Sequence, residues 1–348
     1  MHAGTARTVA AAWVQRHASA ATWFRGAYFA GSATALPDDA DLAPTSDLDV
    51  FIVTAEAEPP MKLGKFLHDG VRIEVSYVTS EKLAAAEQVL AHYHLAEAFR
   101  RDSIIADPTG HLRRLVAEVA GRFAQEAWVR RRCAHARQGA EQYVAAIDPG
   151  APWRDQVTSW LFGAGVTAHV LLVAALRNPT VRLRYLRARE VLQAYSHQDF
   201  YPELLGLLGC LQLSPARVSH HVNALARTFD TAAAALKTPY RFASDISPAG
   251  RPLAIDGSLE LIRSGCHREA IFWIVATFAR CHTILAADAP AVGRALEPDF
   301  SAVLADLGIA STEDLVAGGE AVRRLLPRVL ETAESILAVH PDILRDAP

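Results

Sequence analysis

The sequence predicts an α+β fold, in which a small unit with a mixed sheet is followed by an all-helical region. Two β-prone runs lie within the first eighty residues, at Leu48–Thr54 and Val71–Val78. From Ser80 onward, the apolar residues recur with the period of an α-helix. The chain has 348 residues, which favours two domains rather than one.

We place the first domain at residues 1–110 and the helical domain at residues 111–348. Asp148-Pro149-Gly150-Ala151-Pro152 is the clearest break in the helical pattern and marks a possible further boundary. Lys237 to Pro252 reads as a long irregular connection. Beyond the break, helical patterns cover residues 153–177, 181–195, 200–211, 215–237, 256–286 and 312–339.

The N-terminal unit begins with a predicted helix over Thr8–Ala21, which has Val9, Trp13 and Val14 on one side. A short strand, Ala27–Ala30, follows and stops at Gly31-Ser32. A loop rich in proline and aspartate then leads to the first long strand. Val50 to Val53 form a continuous apolar run in that strand, which is typical of a sheet covered on both faces.

The second long strand shows a clear alternation. Val71, Ile73, Val75 and Tyr77 share one face, and the residues between them are polar. After it, the pattern predicts a helix from Glu81 to about Arg100, capped by Ser80. A turn at Asp107–Gly110 precedes a second long helix that reaches about Ile147.

Composition and charge exclude some classes of function. The net charge is −3 and the pI is about 6.5, so no general basic field attracts nucleic acid. The most apolar stretches, Ala270–Ala279 and Val170–Leu176, are shorter than the roughly 20 residues that cross a bilayer. The early apolar run Ala10–Val14 is too short for a signal peptide. We therefore expect a soluble, cytoplasmic protein with no membrane partner, whose four dispersed cysteines are reduced thiols.

Three carboxylates form the candidate site. Asp47 and Asp49 stand at the start of the first long strand, and residues two apart in a strand face the same way, about 7 Å apart. Leu48 between them faces the opposite side and packs there. Glu74 lies on the polar face of the next long strand, so it joins the two aspartates if the strands are neighbours. Clustered carboxylates repel one another, and a divalent cation removes that cost, so the pattern predicts a metal site.

Gly31 and Ser32 add a second element of a phosphate site. Glycine lets the backbone approach a phosphate closely, and Ser32 has a hydroxyl and an N–H group to donate. The acidic loop residues Asp38, Asp39 and Asp41 are interpreted as solvated rather than as ligands.

These motifs resemble those of a known family. Phe29-Ala30-Gly31-Ser32, then Ser46-Asp47-Leu48-Asp49-Val50-Phe51, then Arg72-Ile73-Glu74-Val75 is similar to the pattern of the polymerase-β-like nucleotidyltransferases. Within that superfamily the chain looks most like the aminoglycoside nucleotidyltransferase branch, in which a helical bundle follows the catalytic domain. The motif match covers roughly residues 25–80.

The resemblance implies transfer of a nucleoside monophosphate, usually AMP from ATP, to a hydroxyl group with release of pyrophosphate. Asp47 and Asp49 would hold Mg²⁺, as one ion or a pair, and Glu74 would be a third ligand, the acceptor of the hydroxyl proton, or both. Gly31, Ser32 and Ser46 would contact the triphosphate. The implied partners are a nucleoside triphosphate and a small hydroxylated acceptor, bound between the two domains.

Two other interpretations remain open at this stage. One is AMP transfer to a protein, and the other is a degenerate nucleotide-binding or scaffold protein that has kept the fold; polymerisation of nucleic acid ranks below both. A cationic, aminoglycoside-like acceptor would require acidic groups from the helical domain, for which Glu141, Asp155 and Asp199 are candidates. The arginine cluster of the same domain is interpreted as a solvated face; it consists of Arg182, Arg184, Arg187 and Arg189.

Overall fold

The computed structural model describes residues 1–345, except for the side chain of Ala33, and confirms the α+β class. The chain divides into two compact units. Unit 1 comprises Met1–Arg132 together with the segment that begins at Asp342, and unit 2 comprises Cys133–Pro341. This division lies within a helix, whereas the change from strands to helices near residue 110 falls inside unit 1.

A mixed five-stranded sheet forms the centre of unit 1. The strands are β1 (Phe24–Ala30), β2 (Leu48–Thr54), β3 (Gly64–His68), β4 (Val71–Thr79) and β5 (Ile104–Ala106). Their spatial order in the sheet is β3-β4-β2-β1-β5. The central strands β2 and β4 are parallel, and all other neighbouring strands are antiparallel.

One face of this sheet carries the hydrophobic core of unit 1. Helix α1 (Ala3–His17) contributes Ala6, Ala10 and Val14 to that core. The sheet contributes alternate residues of β2 and β4, such as Val50 and Ile73, which are fully buried. The residues between them therefore project from the other face of the sheet.

Strand β3 was not predicted from the sequence. The strand is joined to β4 by Asp69-Gly70, and both residues have positive φ angles, 45° and 76°. Asp-Gly is the residue pair that favours a tight type I′ hairpin, because both of its central positions require φ above zero. The sequence therefore held a signal for this hairpin. Strand β5, which has only three residues, was also not predicted.

The single helix predicted over residues 81–100 is wrong. The segment folds as a 3₁₀ turn, a short helix α2 (Ala86–Ala91) and a second 3₁₀ turn, and Ser80 makes no side-chain cap. The ring Nδ1 of His92 accepts hydrogen bonds from the backbone N–H groups of His94 and Leu95, both at 3.3 Å. Helix α2 ends at His92 because the backbone there is extended, and the ring nitrogen of His92 binds two of the N–H groups that follow.

The long helix predicted up to Ile147 is two helices, α3 (His111–Arg122) and α4 (Glu126–Ala145). At the break, the backbone N–H of Glu126 donates to the carbonyl of Leu344, and the N–H of Leu344 donates to the carbonyl of Ala124, each at 2.9 Å. The interruption depends on a strand-like contact with a segment more than two hundred residues away in the chain, which no local pattern contains.

Unit 2 is helical throughout, and α4 ends before the predicted break at residues 148–152. The predicted helix over residues 256–286 is divided at Gly265, which has a φ of 76°, and a helix after Pro290 was not predicted. The helices are α5 (Trp153–Ala174), α6 (Arg184–Ala194), α7 (Tyr201–Leu207), α8 (Pro215–Ala235), α9 (Gly257–Arg263), α10 (His267–Asp288), α11 (Pro290–Asp306) and α12 (Thr312–Val339). Helix α12 packs on α5, and α10 packs on both α5 and α8.

Helices α5 and α10 are each 22 residues long and apolar enough to cross a membrane by length and composition. The apolar runs considered in the sequence are therefore parts of longer helices. In both helices, 83% of the most apolar window is buried inside the fold. Central helices of a globular bundle have the same property, so these two helices are weak evidence for a membrane.

Helix α10 contains a buried histidine that should make stability depend on pH. The side chain of His282 is 5% exposed, its Nδ1 lies 3.2 Å from Glu297 Oε2, and its ring stacks on Phe300. Burial, with a contribution from Arg154, lowers the pKa of His282 from 6.5 to about 4. The folded state therefore resists protonation, so this contribution to stability is complete above pH 6.5 and is lost as the pH falls towards 4.

The wild-type protein should lose unfolding free energy as the pH falls from 7 to 4. We expect this loss to be smaller in His282→Asn, by on the order of 2 kcal/mol. Urea titrations across this pH range measure the effect. His220→Asn, at an exposed position of unit 2, is the control and should leave the pH profile unchanged. An identical profile for His282→Asn and the wild type would contradict the assignment.

Candidate metal centre

The two aspartates flank the first residue of β2. Strand β2 begins at Leu48, which is fully buried, so Asp47 lies just before the strand and Asp49 is its second residue. Because side chains alternate along a strand, Asp47 and Asp49 share the face opposite Leu48. This arrangement agrees with the prediction from the Asp-x-Asp spacing.

Glu74 reaches the aspartates because β2 and β4 are neighbours. The two strands run parallel with Asp49 directly opposite Glu74, and residues opposite one another in adjacent strands project from the same face. One ligand oxygen from each of Asp47, Asp49 and Glu74 lies within 4.8 Å of the others. Among the His, Cys, Asp and Glu side chains of residues 1–345, this is the one group of three or more that can share a metal ion.

The cluster raises the pKa of Asp49 well above the usual value for an aspartate. Burial is the largest cause, and the negative charges of Asp47 and Glu74 add to it, while Lys65 and Lys62 act in the opposite direction. A divalent cation would favour the charged form of all three carboxylates. The three carboxylates therefore form an oxygen-rich site that is able to bind a metal ion.

Two lysines that the sequence prediction missed pair with these acids. Lys65 Nζ forms a short ion pair with Glu74 Oε2 and lies 3.4 Å from Asp47 Oδ2, and Lys62 Nζ lies 2.6 Å from Glu74 Oε1. Lys65 is placed there by the β3–β4 hairpin, in which it stands directly opposite Glu74. The Asp-Gly turn was the available signal, since it fixes this register.

Gly31 lies against the carboxylate of Asp49. Strand β1 ends at Ala30, which stands opposite Asp49, and a 3₁₀ turn (Gly31–Ala35) begins immediately after it. Gly31 has a φ of 68°, and a Cβ atom placed on it would lie 2.0 Å from Asp49 Oδ2. No side chain fits at this position, so the glycine is required both by its conformation and by the contact.

Ser32 and Ser46 lie on the segments that lead into the site. Ser32 follows Gly31 and is exposed. Ser46 directly precedes Asp47. Arg72 Nη1 donates one hydrogen bond to the carbonyl oxygen of Ser46 at 3.1 Å and another to the carbonyl oxygen of Pro44 at 2.8 Å. Arg72 therefore holds the loop before Asp47.

The acidic loop residues Asp38, Asp39 and Asp41 are exposed, as expected, and two of them contact the N-terminal segment. Asp38 pairs with Arg7 at 2.5 Å, and Asp41 lies near the N-terminus. In unit 2, the expectation of a solvated arginine face is wrong for Arg184, which is 1% exposed and packs its guanidinium over the ring of Phe272 at 3.8 Å. The suggested acceptor-binding acids Glu141, Asp155 and Asp199 also belong to unit 2.

The small mixed sheet and the helical region are compatible with an α+β fold of the nucleotidyltransferase type. The three motifs lie in this sheet on β1, β2 and β4 and the segments between them. Comparisons with protein-family models and with curated proteins found no match to this chain.

Proposed function

We propose that this protein is a Mg²⁺-dependent nucleotidyltransferase that transfers a nucleoside monophosphate, AMP from ATP, to a hydroxyl group of a small molecule and releases pyrophosphate. The proposal depends chiefly on one observation: three carboxylates on, or directly before, two adjacent parallel strands converge within 4.8 Å of one another. Their spacing and the preceding Gly-Ser turn match the motifs that the family resemblance identified.

The donor set fits a hard divalent cation. Mg²⁺ is bound in proteins by carboxylate oxygens, usually one or two together with substrate phosphates and water. Asp47 and Asp49 would hold the ion, with Glu74 as a third ligand. When bound, the ion would neutralise charge on the triphosphate and on the leaving pyrophosphate.

The chain's own groups would position the reactants. The backbone of Gly31 and the hydroxyl groups of Ser32 and Ser46 would contact phosphate oxygens. In the transfer, the acceptor oxygen forms a bond to the α-phosphorus while the bond from that phosphorus to the bridging oxygen breaks. The acceptor proton passes to Glu74, and pyrophosphate leaves with the electron pair of the broken bond.

A protein acceptor is the second candidate, and one observation favours it. Strand β3 is an edge of the sheet and carries the lysine that contacts the site. Leu67, two residues along the strand from Lys65, is 60% exposed, and Met61 and Leu63 just before the strand are 53% and 50% exposed. An exposed strand edge with apolar side chains is a surface that a polypeptide can pair with.

The test is pyrophosphate release from Mg-ATP with a panel of aminoglycosides, nucleosides, sugar alcohols and a mixture of proteins. We expect turnover with one acceptor class and complete loss in excess EDTA, restored by added Mg²⁺. Turnover with proteins alone would select the second candidate. Failure to bind Mg-ATP, measured by calorimetry, would refute the enzyme proposal and favour a scaffold.

A further inference from the structure

Lysine is rare in this chain, and half of its lysines are at the acidic cluster. Of 35 Lys and Arg residues only four are lysine: Lys62, Lys65, Lys82 and Lys237. The surface ion pairs are made mostly by arginine, as in Arg130 with Glu126. The two cluster lysines therefore depart from the chain's general use of arginine.

The ammonium group of Lys65 lies between the carboxylates of Asp47 and Glu74. It pairs with Glu74 Oε2 and is 3.4 Å from Asp47 Oδ2, and its side chain is only 6% exposed. Lys62 Nζ is 2.6 Å from the other oxygen of Glu74. Ammonium groups thus contact both oxygens of Glu74 and one oxygen of Asp47.

A metal ion that used these oxygens would compete with the lysines. Mg²⁺ requires ligand oxygens at about 2.1 Å, and the ammonium of Lys65 occupies the space between Asp47 and Glu74. Two ammonium groups also carry the same total charge as one divalent ion. Either the two lysines or one metal ion can thus offset two negative charges of the three carboxylates. The oxygens that Lys65 contacts can bind Lys65 or the metal ion, but not both at the same time.

We propose that Lys62 and Lys65 balance the carboxylates when no metal is present, and that they leave on metal entry to bind the triphosphate. This inference rests on the proposed function of the site. Lysine suits such an exchange, because its charge is compact and sits on a flexible four-carbon stem. Arginine would hold a carboxylate through two parallel hydrogen bonds and would be harder to displace.

The exchange couples the metal to the nucleotide. Metal entry without nucleotide breaks the three ion pairs that the two lysines make with the carboxylates, whereas the triphosphate offers the displaced ammonium groups new oxygen partners. The metal should therefore bind weakly alone and more tightly when nucleotide is bound. By thermodynamic linkage, the metal raises the affinity for the nucleotide by the same factor.

The test measures how fast each lysine of the wild-type protein reacts with an amine-acylating reagent, by mass spectrometry. Adding Mg²⁺ should speed the labelling of Lys62 and Lys65 by about tenfold, which corresponds to about 1.4 kcal/mol. Adding ATP with Mg²⁺ should slow it again. Lys82 and Lys237 are exposed and serve as internal controls whose rates should not change.

A Mn²⁺ titration followed by electron paramagnetic resonance separates this inference from the proposed function. Lys65→Met should bind Mn²⁺ about tenfold more tightly than the wild type without nucleotide, and Lys82→Met should bind as the wild type does. If the wild type binds Mn²⁺, Asp49→Asn does not, and Lys65 labelling is insensitive to Mg²⁺, the exchange is refuted and the metal centre stands. Absence of Mn²⁺ binding in both the wild type and Lys65→Met would refute both proposals.

Discussion

Asp49→Asn is expected to reduce pyrophosphate release from Mg-ATP by about a thousand-fold or more. Asn preserves the size of the side chain and removes the charge that would hold the metal. The same change should raise the free energy of unfolding of the metal-free protein by about 1 kcal/mol. The reason is that burial, Asp47 and Glu74 all raise the pKa of Asp49, so its charged form is disfavoured in the folded state at neutral pH.

Two measurements check this result: the pyrophosphate assay, and urea unfolding in the presence of EDTA. Asp69→Asn is the matched control, because Asp69 lies in the hairpin turn of the same unit with a 75% exposed side chain. Its φ of 45° is one that asparagine adopts readily, so neither activity nor stability should change. If Asp49→Asn kept a tenth of the wild-type activity, Asp49 would not be a metal ligand.

Gly31→Ala is expected to lower kcat/KM by about a hundred-fold, the scale of loss from displacing a reacting group by about 1 Å. The new Cβ would lie 2.0 Å from Asp49 Oδ2, so either the carboxylate or the turn must move. The φ of 68° is unfavourable for alanine, so the substitution should also lower the free energy of unfolding by about 1–2 kcal/mol. Steady-state kinetics at several Mg²⁺ concentrations, with urea unfolding alongside, measure both effects.

Gly110→Ala separates the two causes. Gly110 is also in unit 1 and has a φ of 71°, but a Cβ there would only touch Arg114 Nη1, the end of a flexible side chain, at an ordinary 3.4 Å. The backbone cost is therefore shared by both variants, and the contact with Asp49 is specific to Gly31. We expect Gly110→Ala to lose stability and keep its kcat/KM. Equal kinetic losses in the two variants would show that strain, and not the contact with Asp49, lowers the activity.

The location of the acidic site was predictable because its strongest features are local. Asp47 and Asp49 share a face since side chains alternate in any strand, and the apolar run after them identifies that strand. The alternation around Glu74 likewise showed that it faces away from the core. The helix predicted over residues 81–100 was wrong because apolar spacing alone overestimated its length. The backbone is extended at His92, and its ring nitrogen accepts from the N–H groups that follow.

The sequence by itself determined the α+β class, the two central strands and the three carboxylates that face away from the core. Tertiary structure decided that β2 and β4 pair in parallel with Asp49 opposite Glu74. It also placed Lys65 beside Glu74 and divided α3 from α4 at residues that bond to the backbone of Leu344. The physical reason is the range of the interactions. Alternation and helical period are properties of neighbouring residues, whereas strand pairing and ion pairs join groups whose separation along the chain carries no periodic signal.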